Sequence, residues 1–148
     1  MCHLVGSSLQ SWSRNHIRGK MMIKESTLQR VLAWLPAVAW AGLIFFLSAQ
    51  PDETFEKLGL QGQLLSIGGH LVVYFVLMVL LVLALRYSSN LSSRQVYILA
   101  FLIVALYGLS DEYHQTFVPG RTATMADWFV DLIGAGLAWM ILAYWERR

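Results

Sequence analysis

Ser110–Trp128, SDEYHQTFVPGRTATMADW, decides how this chain is read. The stretch lies between two long apolar runs and gathers Asp111, Glu112, His114, Gln115, Arg121 and Asp127 around a Val118-Pro119-Gly120-Arg121 turn; Asp131 follows one helical turn into the next run. Charged groups beside or inside hydrocarbon are costly unless they are paired, solvated or used. The stretch therefore reads both as the connection between two membrane spans and as a candidate site.

Working outward, composition sets the class. Of the 148 residues 57% are hydrophobic and 14% charged, against roughly 45–50% and about 25% in soluble domains, and mean hydropathy is +0.54. An all-α integral membrane four-helix bundle of one domain is expected, occupying residues 31–145. The net charge of +2 and pI near 8.9 do not point to nucleic acid, because the basic residues follow topology and form no single face. Cys2 is the only cysteine, which excludes an internal disulfide and a cysteine metal site.

Four runs carry the bundle. Val31–Leu47 holds no charge over seventeen residues, enough for a span of roughly 17–25 and longer than a signal-peptide core of about 7–15. Pro36 is expected to bend it, with neighbouring helices compensating. Ile67–Leu85, Val96–Leu109 and Trp128–Trp145 follow; the third is short and would have to borrow Leu91 or tilt little. Residues 1–30 form a basic cytoplasmic tail without apolar period, expected to be untranslated in part or without fixed structure, and Met21 or Met22 is the expected start of translation. His3 and His16 read as solvated linker residues.

Four spans place both termini on one side of the membrane. Lys and Arg number five before the first span, two in the link RYSSNLSSR and two at the C-terminus, nine together, whereas Lys57 and Arg121 are alone in the other two loops. By the positive-inside rule both termini are cytoplasmic. Trp34, Tyr87, Tyr97, Tyr144 and Trp145 then fall near the inner interface and Trp128 near the outer one, so the loops 49–66 and 110–127 face outward.

Helical spacing names the neighbours of the organising stretch. His70 and Tyr74, at i and i+4, share a face of the second span. Asp127, Asp131, Gly134 and Ala138 step by four, three and four along the last span, and Gly134 with Ala138 is a small-xxx-small pair that admits a close helix. Asp131 thus points into the bundle, where His70, Tyr107, His114 or Arg121 must meet it.

Structural readings stand beside the functional ones. Asp127 is either the N-cap of the last helix or, with Thr124 as N-cap, the N3 acid of a capping box. Pro119-Gly120 suits a type II turn. Arg121 reads as a counter-ion to Asp111 or Asp127, or as a bidentate grip on phosphate or carboxylate. His70 taken alone is an interfacial hydrogen-bonder. Asp111 and Glu112 sit at the C-terminal end of the third helix, where the macrodipole disfavours negative charge, so partners or a function must account for them. The candidate polar site is His70, Asp111, Glu112, His114, Gln115, Arg121, Asp127 and Asp131.

The run Ser110–Gly136 resembles the signature of the VanZ-like family, small bacterial membrane proteins named for a teicoplanin-resistance protein. Asp111, Glu112, His114, Gln115, Phe117, Pro119, Gly120, Arg121, Asp127 and Asp131 match its pattern. Phe45–Pro51, FFLSAQP, matches at Ser48, Gln50 and Pro51, and His70 with Tyr74 resembles the start of the family's second helix. A basic residue commonly found before that histidine is replaced by Ile67-Gly68-Gly69. The resemblance covers Val31–Tyr144 and implies a four-helix fold, multi-pass residence in the bacterial inner (cytoplasmic) membrane and a link to glycopeptide susceptibility. It supplies no reaction.

Two function classes remain. In the favoured one the protein is a binder in the cell envelope: Arg121 holds an anionic membrane lipid, a lipid-linked cell-wall precursor or a glycopeptide while the carboxylates and His70 shape the pocket. In the other it is a phosphohydrolase or transferase on lipid-linked phosphate, with Asp111, Glu112 and Asp131 around a divalent metal and His114 or His70 as acid or base. No sequence-spaced metal motif, nucleophile elbow or phosphate loop is present, so no cofactor, metal ligand or catalytic residue is assigned. Proton-coupled transport is a weaker third reading that a homo-oligomer would have to serve.

Overall fold

Backbone groups in hydrocarbon have no water to bond, so apolar runs of this length close their hydrogen bonds within helices. The computed structural model describes residues 27–57 and 63–148, and every regular element among them is helical. The elements are α1 (Leu35–Ser48), α2 (Asp52–Lys57), α3 (Gln63–Ser88), α4 (Ser93–Gln115) and α5 (Met125–Glu146). Four helical stretches are long and apolar enough to cross a membrane: Thr27–Ser48, Ile67–Ser88, Ser93–Gln115 and Met125–Glu146. The expectations for Cys2, His3, His16 and a start at Met21 or Met22 lie outside the described residues.

Boundaries differ from the sequence reading in two informative places. Residues 27–32 are already helical, so the first span includes Arg30, and the expected bend is a turn at Ala33 and Trp34. Pro36 then sits in the first turn of α1, where its missing N–H would have had no helical partner anyway. The third span is not short. α4 runs through Asp111, Glu112 and Gln115, so these polar residues stand on a helix and the connection to α5 shrinks to residues 116–124. Ser92 and Gln95 start α4 with a capping box.

Contacts at the two ends of the bundle establish an antiparallel up-and-down course. Trp34 Nε1 donates to Ser88 Oγ at 3.1 Å, and Arg86 meets Glu146 at 2.7 Å; these bring the start of the first span and the ends of α3 and α5 together. At the opposite end Arg121 reaches the carbonyl of Gln50, and His70 meets Asp131. α3 packs most extensively on α5, then α5 on α4 and α4 on α3; α1 leans on α3 and more lightly on α4.

The core follows from stripes at helical spacing. Tyr74, Met78 and Val82 on α3, Val96, Ala100 and Val104 on α4, and Ala135 and Ala138 on α5 are all buried. The α3–α5 seam is close because Gly134 opposes backbone: a Cβ there would overlap the Leu71 carbonyl oxygen. Leu83, Leu102, Leu106, Ile133 and Met140 point outward and are exposed, as lipid-facing residues are, since hydrocarbon is as apolar as they are.

Candidate functional site

The site forms where α3 begins, α4 ends and α5 begins. Close approach at Gly134 draws the first turns of α3 against α5, and one residue before Leu71 stands His70. His70 Nδ1 lies 2.9 Å from Asp131 Oδ1, the partner that the polar stripe of α5 demanded. The Asp131 side chain is 1% exposed and that of His70 16%, so the ring is the accessible member of the pair. Gly108 makes room from the α4 side: a Cβ there would stand 3.2 Å from Asp131 Oδ2. Asp131 Oδ2 therefore points at the stripe of α4 that carries Glu112 one turn later.

Asp111 and Glu112 occupy adjacent positions near the end of α4 and are both buried. Asp111 Oδ2 accepts from the Tyr74 hydroxyl at 3.4 Å and from Gln115 Nε2 at 3.1 Å. The Tyr74 ring stacks parallel to that of His70, with centroids 6.4 Å apart. Glu112 Oε2 accepts the backbone N–H of Thr124 at 3.0 Å, an orphan donor at the head of α5. Each of these acids satisfies one oxygen, and Asp111 Oδ1, Glu112 Oε1 and Asp131 Oδ2 are buried with no hydrogen-bond partner. Such groups are expensive to leave unmade. His70, Glu112 and Asp131 each present a ligand atom within 4.8 Å of those of the other two.

Other members of the predicted cluster serve structure. Thr124 is the N-cap of α5: Asp127 N–H donates to Thr124 Oγ1 at 3.2 Å, and the hydroxyl donates to Asp127 Oδ2 at 2.7 Å. Of the two capping readings open for Asp127, the N3 position is the one realised; in the usual box the N3 acid would take the N-cap N–H, a bond that Glu112 makes instead. Gly120 has φ 79° and Arg121 N–H donates to Val118 O at 3.2 Å, the type II turn expected. Arg121 Nε and Nη2 donate to Gln50 O at 3.2 Å and Leu47 O at 3.3 Å, so the guanidinium ties the turn to the carbonyls at and just past the end of α1. His114 turns to α1, its ring 4.5 Å from that of Phe45.

The convergent groups are thus His70, Asp111, Glu112, Gln115 and Asp131, with Tyr74 as a member that the sequence reading named as a neighbour but left out of the candidate set. Its spacing from His70 was the available signal. Asp127 is half-buried at the rim, whereas Arg121 and His114 connect the end of α4 and its loop to α1. A partly open face of carboxylates with one imidazole can accept protons or a cation.

No curated protein and no solved structure matches the chain. A family model described as VanZ/LLP1 matches residues 32–146, which spans all four membrane-crossing helices and every residue of the site, and the chain belongs to the VanZ/LLP1 family.

Proposed function

We propose that this VanZ/LLP1 membrane protein is a hydrolase or transferase of lipid-linked phosphate, working at the outer leaflet of the bacterial cytoplasmic membrane. One observation carries the reading: three buried carboxylates, each with an oxygen lacking a partner, converge beside a half-buried histidine near the ends of membrane-spanning helices. Asp131 is six residues beyond the first residue of α5, about 9 Å along the axis at 1.5 Å per residue. That depth suits the phosphate of a lipid whose chains lie alongside the bundle. The distribution of nine basic residues against two supports an outward-facing site.

In this reading a water or acceptor hydroxyl attacks phosphorus, the bond from phosphorus to the lipid-side oxygen breaks, the attacking oxygen gives up its proton and the departing oxygen takes one up. Asp111 is placed to take it: Tyr74 and Gln115 hold one carboxylate oxygen and the other is unpartnered. His70, the accessible member of its pair, meets the phosphate side. A binder that grips an anion through Arg121 has less support, because that guanidinium is engaged with the carbonyls of Leu47 and Gln50. Turnover of lipid-linked wall precursors is also the simplest connection to glycopeptide susceptibility.

The test uses the purified chain in detergent with a panel of lipid-linked phosphates and pyrophosphates, following bound lipid and released phosphate together. Release by the wild type that falls at least about 100-fold in Asp111→Asn, the usual scale of a lost general base, supports the proposal. Saturable lipid binding without turnover would overturn it and leave an envelope-lipid binder.

A further inference from the structure

We infer that His70, Glu112 and Asp131 form a divalent-cation site of the kind that takes a transition metal such as Mn²⁺ or Zn²⁺. Three helices supply one ligand each, and the ligand atoms lie within 4.8 Å of one another. Ions of this class bind nitrogen and oxygen at about 2.0–2.2 Å, so a small inward movement of the side chains completes the shell. Two carboxylates and a neutral imidazole carry the charge that a divalent ion neutralises.

Independent of the clustering, two of the ligands have an oxygen left over. Glu112 Oε1 and Asp131 Oδ2 are buried and without a partner, in residues only 5% and 0% exposed. An ion answers that deficit, which no other side chain among the described residues meets. The remaining contacts look like the supports of a metal site. Thr124 N–H fixes Glu112 through its other oxygen at 3.0 Å. His70 Nδ1 stands 2.9 Å from Asp131 Oδ1, the separation of two ligands on one ion, so a metal there takes the place of the proton between them. A nitrogen ligand favours transition metals over Mg²⁺ and Ca²⁺. Three protein ligands leave positions open for a phosphate oxygen or water, which would give an anion entry to an otherwise acidic pocket. The inference stands on this geometry and does not require phosphate turnover.

Full-length protein in detergent, stripped with chelator and dialysed, is titrated with Mn²⁺ alone and with Zn²⁺ alone by calorimetry, and its metal content is measured by mass spectrometry. One equivalent per chain is expected, with affinity at least about 100-fold lower in Glu112→Gln and Asp131→Asn, the upper range for disturbing a metal's supporting shell. Glu146→Gln, at the other end of the bundle, should bind as the wild type does. Pulsed electron paramagnetic resonance of the Mn²⁺-loaded wild type should show coupling to an imidazole nitrogen, which keeps the test decisive where a variant fails to fold. Absence of stoichiometric binding, binding unchanged in both variants, or no nitrogen coupling overturns the site. Stoichiometric metal without phosphate release overturns the phosphate-transfer reading alone; phosphate release by a protein that binds no stoichiometric metal overturns the cation site alone.

Discussion

The same three helices build a polar cluster at each end of the bundle, and the two are opposite in kind. Where α3 and α5 end and α4 begins, Arg86 pairs with Glu146 at 2.7 Å and donates to the Tyr97 hydroxyl at 2.8 Å. Tyr97 and Ser93 both donate to Glu146, at 3.0 Å and 2.8 Å. Charge is balanced, each Glu146 oxygen has a partner, and the Arg86 and Glu146 side chains are 36% and 31% exposed. At the other end the acids outnumber the cationic groups, lie buried, and keep oxygens unpartnered. The first cluster is a clasp that water can take over when it opens. The second holds unmet polar groups whose free energy a ligand, a proton or a cation can recover.

The largest expected effect sharpens that contrast. His70→Ala strands Asp131 in the core, and breaking a buried pair from one side costs about 3–5 kcal/mol; thermal unfolding in detergent should show it together with loss of activity. Asp131→Leu should cost much less, because it leaves a half-exposed imidazole in place of a buried carboxylate. Folded yield close to wild type with no activity is the expected outcome, and an unfolded Asp131→Leu would mark the acid as a structural partner. The double substitution His70→Leu with Asp131→Leu should recover the stability lost in His70→Ala and remain inactive.

Next in size is Gly134→Ala. Its methyl group would press on the Leu71 carbonyl, and overpacking of this kind costs about 1–3 kcal/mol. Because the strain falls one residue from His70, activity should fall further than stability, and equal loss of both would break the claim that this seam positions the pair. Arg121→Lys removes the fork that reaches the carbonyls of Leu47 and Gln50 and keeps a single point charge. A loss of about 1–2 kcal/mol is expected, from charged hydrogen bonds worth about 1.5–3 kcal/mol each. Substrate affinity should be nearly unchanged; a large rise in KM at wild-type stability would restore Arg121 as an anion grip. The smallest effect belongs to the clasp, where Glu146→Gln should cost under about 1 kcal/mol and leave activity intact. A Glu146→Gln protein that is stable yet inactive would erase the distinction between the two ends.

The spans were legible because lipid asks one question of every residue, and seventeen uncharged residues in a row answer it. The turn was legible for a similarly local reason: Pro119-Gly120 has few conformations available, and Gly120 takes the positive φ that the type II turn requires. Local reasoning faltered at the end of α4. A polar run beside an apolar one resembles a loop, although Asp111 and Glu112 also read as the end of the third span's helix; helix continues through both to Gln115, with Asp111 bonded to Tyr74 of α3 and Glu112 to the N-cap of α5, contacts that hydropathy does not see. Arg121 misled in the opposite way. Its type suits phosphate, but its neighbours in space are carbonyls more than seventy residues back in the chain.

The four apolar spans, the Pro119-Gly120 turn, the inward aim of Asp131 and the common face of His70 and Tyr74 were all legible along the chain. These depend on hydropathy, helical period and backbone stereochemistry, all of which act within a few residues. Packing between helices set which acids come together, brought Arg121 to the carbonyls of Leu47 and Gln50, and turned His70, Glu112 and Asp131 toward one another from three helices. Those outcomes rest on the close approach at Gly134 and Gly108, a distance between helices that no spacing along one helix encodes.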